Sequence, residues 1–248
     1  MFYYLKIKKF FIKLITFWLP KKYRKNTRNF LFYFSLKNFL KFKRQNYYII
    51  PLGNNCLPRV LMTTINLKPR KIYGEKTYPF DLCEFKDITK IIEIIKNDFN
   101  NFFDGLEYKN NKWINECTKS YYPHDNMLKL DEFKKRYQKR IINFKNILNS
   151  NKKKYFIYSN FDKKLLKQDI IELFNVLQTK TNNFKLIIIS NYQPENINNE
   201  NIIQITENFK IQNNNWAELM LNEYKNLDNN YTKFAENIYK KIIKYLTC

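Results

Sequence analysis

Residues 154–190 read KYFIYSNFDKKLLKQDIIELFNVLQTKTNNFKLIIIS. The run 154–159 is aromatic and β-branched, and 184–190 is almost wholly aliphatic, so both read as buried strands. Between them, 163–178 places apolar residues at helical spacing. A strand, a helix and a second strand at this length form a βαβ unit, and the crossover requires parallel pairing. Working outward, 201–206 reads as a third strand and 47–52 (YYIIPL) as a strand upstream, while 216–226 and 231–246 read as closing helices. The expected fold is therefore α/β, with a mostly parallel central sheet flanked by helices and an amphipathic helical segment before it. Such sheets gather their sites at the carboxyl ends of the strands, which here bear Asn160, Asp162, Asn191 and Tyr192.

The chain has 248 residues and only three glycines, with lysine, asparagine and isoleucine abundant. That length suits one well-buried domain plus an appendage. We expect a segment over 1–45 and a single α/β domain over 46–248. Charge follows the same division. Residues 1–74 hold 17 Lys and Arg and no acid, whereas the rest holds 28 bases against 22 acids. The one-sided excess predicts a polyanionic partner for the N-terminal third.

Within 2–19 the chain is aromatic or aliphatic except for a few lysines, of which Lys6, Lys9 and Lys13 fall on one stripe of a helix and leave a broad apolar face that includes Trp18. Four lysines in the first thirteen residues spoil a membrane span, and no small-residue cleavage site follows. Pro20 should end this helix, with Lys21, Lys22, Arg24, Lys25 and Arg28 as a basic cluster before a second helix at 30–42. The expected partner is the anionic surface of a membrane, reached from the cytoplasm at the inner face. Packing of these helices as ordinary core ranks second. Nucleic acid is not expected, since the aromatics sit among bulky aliphatic neighbours and not as separate stacking platforms.

The stretch 53–62 (GNNCLPRVLM) follows the first strand as a turn and then a helix, with proline in the first turn, where its missing donor costs nothing. Cys56 then stands at a helix N-terminus, where the dipole favours a thiolate. Any imidazole that activates a nucleophile must be His124, the one histidine of the chain. A buried structural cysteine and a surface loop histidine are the plainer readings of the two residues. Asp81, Asp125, Asn160 or Asp162 could orient the ring, and the backbone amides of Asn55 and Cys56 could hold an oxyanion. The four cysteines form no CxxC pair and no zinc set, so no metal is expected. No P-loop or dinucleotide glycine pattern implies a cofactor, and a reducing cytosol is the simplest compartment.

The ordered elements 50–56 (IPLGNNC), 78–81 (YPFD), 97–99 (NDF), 122–125 (YPHD) and 135–141 (KRYQKRI) resemble a bacterial family of papain-like cysteine peptidases. The resemblance implies Cys56 as nucleophile and His124 as base. This chain departs from the family pattern at Leu82, where tryptophan is usual, and at Lys139, where arginine is usual. It also has Ile50 where papain carries its oxyanion glutamine. Separately, 17–24 (FWLPKKYR) resembles the leader of enzymes that build bacterial surface polysaccharide. The expected activity is acyl transfer, hydrolytic or to another acceptor, on an acyl or glycan substrate that the sequence does not name. The alternatives are a surface-glycan transferase or accessory protein in which Asp81 acts and Cys56 is structural, and a noncatalytic lipid-bound scaffold.

Overall fold

The computed structural model describes residues 10–33, 36–193, 195–209 and 230–246. The expected helix at 216–226, Lys6, Lys9 and Cys248 lie outside the described residues. The chain divides into two compact units, one of 1–45 with 69–75 and one of 46–68 with 76–248.

In the first unit a helical stretch over 10–15 is followed by α1 (Lys21–Tyr33) and α2 (Leu36–Lys43). The basic cluster is therefore part of a helix that starts after Pro20, because proline's fixed φ suits a helix start as well as a stop. Two of its arginines turn back on the preceding segment. Arg28 Nε donates to Thr16 Oγ1 at 2.7 Å, and Arg24 Nε donates to the Leu19 carbonyl at 2.7 Å.

In the second unit β1 (Tyr47–Pro51), β6 (Lys153–Asn160), β7 (Phe184–Ser190) and β8 (Ile202–Thr206) form one sheet in that order, every pair parallel. Strand side chains alternate between faces. Ile50, Phe156, Tyr158, Leu186 and Ile188 enter one core, with α4 (Ile88–Lys96), α5 (Leu130–Leu148) and α6 (Lys167–Lys180). Ile49, Tyr155, Ile157, Ile187 and Ile203 enter the other, with α3 (Leu57–Thr64) and α7 (Asn230–Leu246). Both faces are covered, which explains why the strands read as continuous apolar runs.

Helix α6 begins four residues later than its periodicity suggests. Asn160 Oδ1 accepts from the amides of Asp162 and Lys163 at 3.0 and 3.2 Å, closing a turn that delays the helix. Between β1 and β6 the chain also builds a second, antiparallel sheet that the sequence reading lacked. Its strands are β2 (Glu84–Phe85), β3 (Leu106–Lys109), β4 (Lys112–Asn115) and β5 (Ser120–Tyr121), in the order β2-β5-β4-β3. Asn110 and Asn111 turn the β3–β4 hairpin with φ of 50° and 59°, the left-handed pair that a two-residue hairpin requires.

Candidate active site

The turn after β1 is built around a residue that can only be glycine. A Cβ on Gly53 would stand 2.2 Å from the Asn55 carbonyl oxygen and 2.8 Å from Pro58 Cδ. The next residue, Asn54, is buried, and its carbonyl accepts from the Phe85 amide at 2.7 Å. Asn55 Oδ1 accepts from the Leu57 amide at 2.9 Å, an Asx turn that leads into α3, while the Cys56 carbonyl accepts from the Val60 amide at 3.1 Å. These bonds fix Cys56 at the helix start, half-buried, at the carboxyl end of the parallel sheet. Overpacking this turn should be expensive. Gly53→Ala is expected to cost about 1–3 kcal/mol, seen as a fall in Tm of roughly 2–10 °C for a domain of this size. An unchanged Tm would mean that the turn relaxes freely.

The thiolate expectation is corrected by the structure. Burial pushes the Cys56 thiol above its ordinary value and Glu84 pushes it further, while a backbone hydrogen bond at Cys56 itself only partly opposes them. Loss of hydration therefore outweighs the helix terminus, whose influence covers only the first turn and is modest. Burial thus favours the protonated thiol over the thiolate.

Asp81 is wholly buried and anchors the Tyr-Pro-Phe-Asp turn. Its Oδ2 accepts from the Tyr78 amide at 3.1 Å and faces Arg59 Nη1 of α3 at 3.6 Å and Lys68 Nζ at 3.9 Å. Lys68, itself 1% exposed, donates to the Ile49 carbonyl of β1 at 3.1 Å and lies 4.0 Å from the centroid of the Tyr78 ring. Asp81 thus joins β1, α3 and the turn at 78–81, and its charge is committed to structural cations.

Asp125 is likewise buried and held by α5. Arg136 Nη1 donates to Oδ1, and Tyr137 Oη and Arg140 Nη1 donate to Oδ2 at 2.8 and 3.2 Å. With both oxygens engaged by α5, Asp125 fastens the turn that carries His124 and does not bind its ring. His124 itself is exposed, and among the described residues no hydrogen bond joins it to Cys56. Cys83 links the two neighbourhoods. Its buried thiol donates to the Pro79 carbonyl at 3.1 Å and lies within electrostatic reach of Arg140, Asp81, Cys56 and Asp125.

Of the other expected residues, Asn160 closes the turn after β6, and Asn191 staples two loops through Phe161 and Phe209. Tyr192 Oη donates to the Asp162 carbonyl at 3.2 Å. Glu84 escaped the sequence reading. Burial and Asp162 raise its pKa, with Lys112 opposing, and it acts in turn on Cys56. The bond from the Phe85 amide to the Asn54 carbonyl brings Glu84 here, and no local pattern announces that contact.

No curated protein and no solved structure matches the chain. A family model does match, over residues 47–194. The span opens on β1 and takes in Gly53, Cys56, Asp81, His124 and Asp125 together with the inserted sheet and the βαβ unit. Over well more than half of its length, then, the chain belongs to the family described as "putative papain-like cysteine peptidase".

Proposed function

We propose that this protein is a thiol enzyme that transfers an acyl group, to water or to another acceptor, with Cys56 as nucleophile and His124 as its base. The observation that supports this reading best is the delivery of a half-buried thiol to a helix start at the carboxyl end of a parallel sheet, by a turn that only glycine permits. Because burial favours the thiol form, its proton leaves as attack occurs. His124 acts on it as general base when substrate binds. Sγ bonds to the acyl carbon and His124 takes the thiol proton. The oxyanion is held by the backbone amides at 55–56. The leaving group departs with the proton from His124, and water or another nucleophile then cleaves the thioester.

The test is acylation by p-nitrophenyl esters of varied acyl chains, read by mass spectrometry of the intact protein and its peptides. The acyl mass should appear on Cys56, vanish in Cys56→Ala and form at least 100-fold more slowly in His124→Ala, a factor within the range general base catalysis supplies. Acylation spread evenly over Cys56 and the exposed Cys117 would sink the proposal. A second reading keeps Cys56 as a structural thiol and makes Glu84 a general acid in glycan transfer. It is favoured by the raised pKa of Glu84, and it predicts that no ester acylates Cys56 at all.

A further inference from the structure

We infer that the segment 10–25 is a docking surface for an anionic lipid bilayer. Phe10, Phe11, Leu14, Ile15, Phe17 and Trp18 are all exposed, Trp18 at 88%. Six large apolar side chains exposed within nine residues form a patch and not the single scattered residues that any soluble surface carries. The inward side of the same stretch is formed by Ile12 and Thr16, both buried, and Thr16 receives Arg28. The segment therefore has a packed side, and the six residues above lie off it.

Charge selects the occupant. Lys13 within the stretch and Lys21, Lys22 and Lys25 in the helix that follows it are exposed, whereas Arg24 and Arg28 are used internally. No acid occurs before Glu75. A second copy of the chain would bring like charges together over the apolar patch, and a groove for nucleic acid would not surround its cations with aliphatic side chains. An anionic bilayer satisfies both features, since the apolar side chains enter the headgroup boundary while the lysines meet phosphate. The contact proposed is peripheral, and among the described residues no helix is long and apolar enough to cross a membrane.

The experiment is co-sedimentation of the full chain with vesicles of phosphatidylcholine alone and of phosphatidylcholine with phosphatidylglycerol. The full chain should bind the phosphatidylglycerol vesicles at least tenfold better. High salt should weaken that binding without abolishing it, because screening acts on the charges and leaves apolar insertion intact. The double variant Ile15→Ser, Trp18→Ser should lose at least tenfold and become fully salt-sensitive, with an unchanged melting curve because both side chains are exposed. Equal binding to both vesicles, no binding to either, a double variant that binds as the parent does, or displacement of the vesicles by an oligonucleotide would each overturn the inference.

Discussion

Asp125→Ala is expected to destabilise the second unit by about 3–5 kcal/mol, the range for breaking a buried ion pair from one side. Arg136, its side chain 44% exposed, contributes less of this, because its charge rehydrates in the variant. The cost comes from Arg140, with a side chain only 9% exposed, and from the fully buried hydroxyl of Tyr137, which loses its acceptor. The fall in Tm should be roughly 6–20 °C. Asp125→Asn preserves the volume and one acceptor oxygen and should recover a good part of it. Hydrogen exchange separates the local effect from the global one. Amides over 122–128 should lose protection well before those of β6 and β7, because the bonds from α5 to Asp125 hold that turn. If Asp125→Ala melts within 1 kcal/mol of the parent, Arg140 is solvated in the variant and the turn bearing His124 is held by something else. The variant also separates anchoring from catalysis. Loss of acylation at Cys56 should follow the loosening of the turn, and Asp125→Asn should restore both together.

The parallel sheet was legible because both of its faces are buried. Tyr155, Phe156, Ile157 and Tyr158 are apolar without interruption, and a run of that kind bounded by turn residues has few other readings. The antiparallel sheet was not legible. Its strands have two to four residues, too few for a period of two to emerge, and its clearest signal was the turn formed by Asn110 and Asn111 in a chain rich in asparagine. At the site, the position of Cys56 could be read from its turn and its proline, because both act within five residues. The state of its thiol could not. That depends on burial and on Glu84, 28 positions along the chain, which no local rule brings near. The same limit explains Asp81 and Asp125. An isolated Pro-Phe-Asp or His-Asp looks like a pair of acids ready for chemistry, and only the tertiary placement of Arg59, Lys68, Arg136 and Arg140 shows that their charges are already committed.

The second large effect is expected at Asp81, and its diagnostic feature is non-additivity. Asp81→Ala should cost about 3–5 kcal/mol, because it removes the carboxylate that neutralises Lys68 at 1% exposure. Lys68→Met should cost a comparable amount by leaving the wholly buried carboxylate with the single, better-solvated charge of Arg59, at 3.6 Å and 13% exposed. If the energy resides in uncompensated charge, the double variant should be considerably more stable than the sum of the two single losses, with an interaction energy of about 1–3 kcal/mol. Methionine can lie along the path of the lysine stem against the Tyr78 ring, so the apolar share of that contact survives. Urea unfolding of the four proteins completes the cycle. Simple additivity within about 0.5 kcal/mol would mean that Lys68 and Asp81 act independently and that the turn at 78–81 is held mainly by the bond from the Tyr78 amide. The cycle also reports on function, since Arg59 and Cys56 share the start of α3. Should the double variant regain stability while Cys56 acylation stays slow, the ion pair sets the position of the nucleophile, whereas recovery of both confines Asp81 to holding the fold.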